Sequence, residues 1–219
     1  MEDVDASTVK PFQVALVEPV AYPLVQLILV GDVSEKSSAE DWKELARRMA
    51  LGSSVVFLSP LAFRRGNDTT AWLPLAKKGR IYHFHDWLYH KECVAKGHPI
   101  FEGLQSRAML NWYYYGPMIP HDMFDGQDTP ADGAIAAAFA TGYNTPGGYA
   151  SGILTGSYKF GAGRFIVNTF PILENLDSHP AADRMLLNVV RHAGEDVGGP
   201  VASLPADFEQ QLRVIGYVR

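Results

Sequence analysis

The run LVQLILVGDVSEKSSAEDWKELARRMALGSSVVFL, from Leu24 to Leu58, decides the fold. Leu24 to Val30 is almost continuously apolar and is stopped by Gly31-Asp32. Apolar residues without alternation suit a strand covered on both faces, as in a parallel sheet. Ser37 and Glu40 then stand at capping-box spacing. Trp42, Leu45, Ala46 and Met49 recur at i, i+3, i+4 and i+7, one face of an amphipathic helix. Gly52 supplies the helix stop, and Val55 to Leu58 reads as a second buried strand. Strand, helix, strand is a βαβ unit, and it places the chain among α/β domains.

Working outward, Phe12 to Val17 is a short apolar strand ended by Glu18-Pro19. Ser59 to Gly79 reads as a loop or short helix. Ile81 to His85 is expected to be a strand leading into a helix from Asp86 to Lys96, which Gly97-His98-Pro99 breaks. Asn111 to Tyr115 is aromatic and strand-like, and an acidic, proline-containing loop runs on to Asp132. Ala134 to Ala140 fits strand or helix, and its loop context favours a strand. Ser151 to Tyr158 and Arg164 to Thr169 flank Lys159-Phe160-Gly161-Ala162-Gly163, a hairpin signal. Ser178 is expected to cap a helix with Pro180 in its first turn. The buried stripe of that helix is Ala182, Met185, Leu186, Val189 and Val190, and Gly194 ends it. Asp207 to Val214 reads as a short last helix. The expected division is one α/β domain over 1–195 and a tail over 196–219.

Composition narrows the function. The 219 residues carry a net charge of −5, which argues against a surface that coats nucleic acid. With 47% apolar and 20% charged residues the chain has the make-up of a folded domain, not a disordered one. A single cysteine, Cys93, excludes an internal disulfide framework and every multi-cysteine metal centre. No apolar run approaches the ~18 residues of a membrane span. Met1-Glu2-Asp3-Val4-Asp5 is acidic and unlike a signal peptide, and the compartment stays open.

Several residue groups could carry chemistry. Cys93 follows His90-Lys91-Glu92 within one turn of the expected helix, a spacing that suggests a thiol–imidazole pair. A packed, inert cysteine is the favoured reading. Ser59 stands where a βαβ fold would place a nucleophile, but Pro60 lacks the N–H that would help form an oxyanion hole. His83, His85 and Asp86 could hold a zinc ion, with His121, Asp122 and Asp125 as remote donors; polar residues at a strand end are the plainer account. Trp112-Tyr113-Tyr114-Tyr115 offers rings for a carbohydrate or a protein, because a flat apolar ring with a polar tip suits both. Gly142 to Tyr149 lacks a phosphate-loop fingerprint and reads as a turn.

The stretch Gly97-His98-Pro99-Ile100-Phe101-Glu102-Gly103-Leu104 resembles a turn of class I glutamine amidotransferase-like domains. Gly161 to Thr169, with Glu174-Asn175-Leu176 and His179-Pro180-Ala181-Ala182-Asp183-Arg184, is similar to the end of such domains where they accompany bacterial family-2 glycoside hydrolases of the β-galactosidase and β-glucuronidase type. Asn111 to Asp122 and Leu204 to Phe208 fit the same pattern, so the resemblance spans about residues 24 to 215. It implies a flavodoxin-like, mostly parallel sheet with helices on both faces, closed by a hairpin and a helix. It also implies a last domain of a larger enzyme. The chain departs from true amidotransferases: Ser59-Pro60 replaces the elbow cysteine, and the one His-x-Glu is His90-Lys91-Glu92.

These readings lead to an expectation of a non-catalytic accessory domain of a carbohydrate-active enzyme, serving domain packing, oligomerisation or the shaping of a sugar site. No catalytic residue, metal or cofactor is expected. Ligands of open α/β sheets bind at the carboxyl ends of the strands, which singles out Ser59, His85, Tyr113, Tyr115, His121, Asp122 and Asn168. Expected partners are other domains of a glycoside hydrolase-like chain, a carbohydrate, or a second copy, and neither nucleic acid nor membrane. The rivals are a degenerate hydrolase using Cys93 with His90, or a metal at His83, His85 and Asp86, and a carbohydrate-binding module using residues 112–115.

Overall fold

Three strands align in parallel, β1 (Leu27–Val30), β2 (Ser54–Phe57) and β9 (Gly163–Asn168), in the order β1-β2-β9. They belong to a computed structural model that describes residues 25–32, 37–83, 90–142, 148–195 and 197–218. The strand expected at Phe12–Val17 lies outside the described residues. Helix α1 (Ala39–Ala50) connects β1 to β2, as the sequence requires. Its cap is Ser38 rather than Ser37: Ser38 Oγ accepts from Asp41 N, and the Asp41 carboxylate accepts from Ser38 N at 2.8 Å. The box closes one residue later than expected, on an aspartate.

The sheet is mixed, where a mostly parallel one was expected. β8 (Tyr149–Phe160) runs antiparallel to β9 across the turn Gly161-Ala162. From β8 the order continues antiparallel through β7 (Ala134–Thr141), β4 (His90–Ala95) and β5 (Ala108–Met109). β3 (Arg80–His83) pairs with β6 (Asp122–Asp125), and β6 joins β8 at Phe124 and Ile153. A two-residue turn admits only antiparallel neighbours, so the hairpin itself ends the parallel order at β9.

Two local expectations are overturned. His90 to Ala95 is a strand, not part of a helix over Asp86–Lys96; all six residues pair with β7. Lys91, Cys93 and Ala95 point inward while Glu92 and Val94 face out, a period of two. Asn111 to Tyr115 is not a strand: Trp112–Tyr115 forms the short helix α2. Asn111 Oδ1 accepts from the N–H groups of both Tyr113 and Tyr114 and so starts the turn, and Gly116, at φ 48°, ends it.

Helices cover both faces. On one, Ala182, Met185 and Val189 of α3 (Pro180–Ala193) pack on Val56, Leu154 and Ile166. His179, not Ser178, caps this helix, its Nδ1 accepting from Ala181 N. Asn188 Nδ2 donates from α3 to the carbonyls of Ile100 and Glu102, which holds the 3-10 turn Pro99–Phe101 in place. On the other face α1 and α4 (Phe208–Val214) share a cluster with Val55, Phe57 and Phe165. Trp42 there lies stacked between Phe57 at 5.9 Å and Trp72 at 5.6 Å. Each such buried ring adds about 1.5–3 kcal/mol of hydrophobic stabilisation.

Candidate functional site

Open α/β sheets bind ligands where parallel strands end, so the crest above β2 and β9 comes first. Ser59 stands two residues beyond the end of β2 and is buried; its Oγ accepts from Leu61 N and caps the 3-10 turn Pro60–Phe63. Asn168 ends β9 and is also buried. Its Nδ2 donates to Leu58 O at 3.1 Å and Phe170 O at 2.8 Å, and its Oδ1 accepts from Thr155 Oγ1. Both side chains thus bond to the fold itself. Thr155 and the carbonyl of Leu58 complete a polar plug that the sequence did not announce.

Cys93 lies in the core between β4 and α3, 1% exposed. Residues 90–95 form a strand, so the helical spacing that suggested a pair with His90 does not exist. His85 and Asp86, and with them the metal set they would form with His83, lie outside the described residues. Among the described residues no three His, Cys, Asp or Glu side chains gather to hold a metal ion.

A second locus forms where β3 meets β6. His83 Nδ1 donates to Asp122 Oδ1 at 2.8 Å, and the His121 ring lies roughly parallel to that of His83 at 6.3 Å. The carboxylate fixes the imidazole's orientation, the arrangement that readies the other ring nitrogen as a base or a ligand. Nearby in the chain, Trp112, Tyr113 and Tyr114 are exposed, Tyr113 fully. Tyr115 is not: it is buried, its hydroxyl donates to Gln105 O, and burial followed by the neighbouring Tyr114 pushes its pKa up. The structure therefore brings His121, Asp122 and His83 together, and separates Tyr113, which faces water, from Tyr115, which does not.

Sequence reasoning passed over Lys91. It is buried on β4, its Nζ donates to Pro120 O at 3.1 Å, and the ammonium sits 4.8 Å from the centre of the Trp112 ring. The alternation Lys91, Cys93, Ala95 was the available signal. His98 was quoted only as part of a turn. Its Nδ1 accepts from Ile100 N, and its ring meets His192 edge-on at 4.7 Å. Burial, then the proximity of His192 and Lys96, lowers its pKa to about 4.

A cavity of about 530 Å³ opens at the opposite, amino end of the parallel strands, lined by Val25, Ser54, Asp132, Lys159 and Arg164. Arg164 donates to Ser54 Oγ and to His192 O, so its guanidinium is tied to the cavity wall. Among the described residues no helix is long and apolar enough to cross a membrane. In comparisons with known proteins, no protein-family model matches this chain and no curated protein matches it.

Proposed function

We propose that this chain is a non-catalytic α/β domain of the class I amidotransferase-like type, serving a carbohydrate-active enzyme through domain packing, oligomerisation or the shaping of a sugar site. One observation carries the reading: the polar side chains at the sheet's carboxyl crest, Ser59 and Asn168, are buried and bonded to neighbouring backbone and Thr155. A nucleophile needs an exposed, activated atom beside a base and an oxyanion site. Ser59 offers a buried oxygen already accepting a hydrogen bond, and Cys93 a sulfur inside the core. The parallel block β1-β2-β9, with α1 and α3 on opposite faces, supports a flavodoxin-like origin for the sheet.

The test is turnover by the purified chain. Glutamine hydrolysis and release from chromogenic β-galactosides and β-glucuronides are expected to stay at the no-enzyme rate. Turnover of either class refutes the reading.

A carbohydrate-binding role gains support from a separate observation, the three exposed rings of Trp112, Tyr113 and Tyr114 on one turn. Exposed aromatic rings in one small area suit stacking on sugar rings. Retardation of the chain in polysaccharide gels, lost on Tyr113→Ala, is the expected result, and unretarded migration of the parent chain removes this role.

A further inference from the structure

We propose that the cavity at the amino end of the parallel strands is a binding site for a small hydroxylated carboxylate, a molecule of the size and chemistry of a sugar acid. The hairpin builds its charged wall. Lys159 of β8 lies directly opposite Arg164 of β9, and both line the cavity. Leu154 O accepts from Thr169 N, while Arg164 N donates away from β8, to Ser53 O just before β2. By the alternation of an antiparallel ladder, Lys159 and Arg164 are then a non-hydrogen-bonded pair, the kind whose side chains stand closest. Like charges directly opposite one another destabilise a sheet. A carboxylate lying between them turns that repulsion into two attractions.

Arg164 is the fixed half of the wall. Its Nε donates to Ser54 Oγ at 3.4 Å and its Nη2 to His192 O at 2.7 Å, which anchors the guanidinium between β2 and the last turn of α3. Lys159 is the adaptable half. The same alternation turns its backbone N–H away from β9, and the pairing of β8 with β7 ends at Gly156, three residues short of it. Among the described residues neither that N–H nor the ammonium has a hydrogen-bond partner, so one residue offers a carboxylate two kinds of donor. The chain's tail closes the other side: Val25 N donates to Gly199 O, and Ala202 N to Leu51 O. The enclosed volume, about 530 Å³, lies within the ~300–1,000 Å³ of ordinary small-molecule sites. Charge sets the class of ligand. Two cations against one carboxylate, Asp132, leave a single positive charge in excess, the complement of a carboxylate rather than of a phosphate dianion. Asp132 and Ser157 also line the cavity and supply acceptors for hydroxyl groups.

This site goes beyond the accessory-domain reading and does not rest on it: turnover bears on that reading alone, and a domain that binds no acid here can still be an accessory one. The experiment is isothermal titration calorimetry of the full chain with D-glucuronate, D-gluconate, D-glucose and D-glucose 6-phosphate at low ionic strength, where charge pairing is screened least. At least one of the two acids is expected to bind with a Kd below about 1 mM, with glucose weaker by about tenfold or more. The phosphate ester is expected to bind no more tightly than that acid. Lys159→Gln, at an exposed position, is expected to weaken the acid by about tenfold or more and to leave the thermal melt unchanged. Lys43→Gln, on α1 and outside the cavity, is expected to change nothing. No heat from either acid up to about 10 mM overturns the proposal. So does glucose that binds as tightly as the acid, a phosphate ester that binds the parent more tightly, or acid binding that survives Lys159→Gln.

Discussion

Replacing Asn168 with alanine tests whether the crest is closed by the fold or open to a ligand. The side chain makes three hydrogen bonds, to Leu58 O, to Phe170 O and from Thr155 Oγ1. Phe170 O also accepts from Ile172 N at 2.7 Å, so it keeps a partner after the substitution. The larger cost falls on Leu58 O. An orphaned buried carbonyl costs about 1–3 kcal/mol, and each of the other two lost bonds about 1 kcal/mol. The sum is a loss of about 3–5 kcal/mol, a large part of the 5–15 kcal/mol that holds an ordinary domain folded. Urea unfolding followed by fluorescence reads it directly, since Trp42 and Trp72 are in the core. A companion Asn168→Asp turns oxygen toward two carbonyl oxygens, which favours the protonated acid and raises its folded pKa. Such a group stabilises below its unfolded pKa and loses that contribution as pH rises through the folded one. Asn168→Asp is therefore expected to unfold at lower urea at pH 8 than at pH 5, relative to the parent. An Asn168→Ala chain within 1 kcal/mol of the parent refutes the argument and returns Asn168 to the pool of ligand-facing groups.

Three further outcomes follow from the same geometry. The folded pKa of His98, about 4, lies below the ordinary histidine value of about 6.5, so the unfolded chain binds more protons between these limits; stability is complete above about pH 6.5 and falls as pH drops toward 4. Because the ring is only partly buried, solvent screening cuts the contribution to about 1–2 kcal/mol, and His98→Asn, which keeps an acceptor for Ile100 N, should flatten that part of the urea-midpoint profile. An alanine methyl at Gly163 would lie 2.3 Å from Ser53 O and 2.4 Å from Met49 O, both backbone; overpacking of about 2–3 kcal/mol should lower Tm by roughly 5–10 °C. Cys93 should react with a thiol reagent only at the rate of global unfolding, and labelling within seconds in the native state contradicts its place in the core.

The sequence was readable where one period ran unbroken. Leu27–Val30, the Trp42-Ala46-Met49 stripe and Ser54–Phe57 each carried a single signal, and the hairpin turn at Gly161-Ala162 was equally plain. β4 was misread because a buried lysine stands at an inward position, which hides the alternation with Cys93 and Ala95. α2 was misread because three consecutive tyrosines carry strand propensity, whereas the Asn111 carboxamide and the Gly116 turn decided the backbone. The candidate site was legible as residue types only. That Asn168 would spend its amide on Leu58 depends on two strands far apart in sequence lying side by side, and no local pattern states it.

That separation also governs how the chain must reach its native state. β9 sits between β2 and β8, and the bond from Asn168 to Leu58 joins positions 110 residues apart. During synthesis the β1–α1–β2 unit emerges with one edge of β2 unpaired, and it waits for roughly another hundred residues before β9 can arrive. Long-range pairing of this kind is slow, and a waiting apolar edge recruits wrong strands. Refolding yield should therefore fall with rising protein concentration, and the nascent chain is a natural client for chaperones until residue 168 leaves the ribosome.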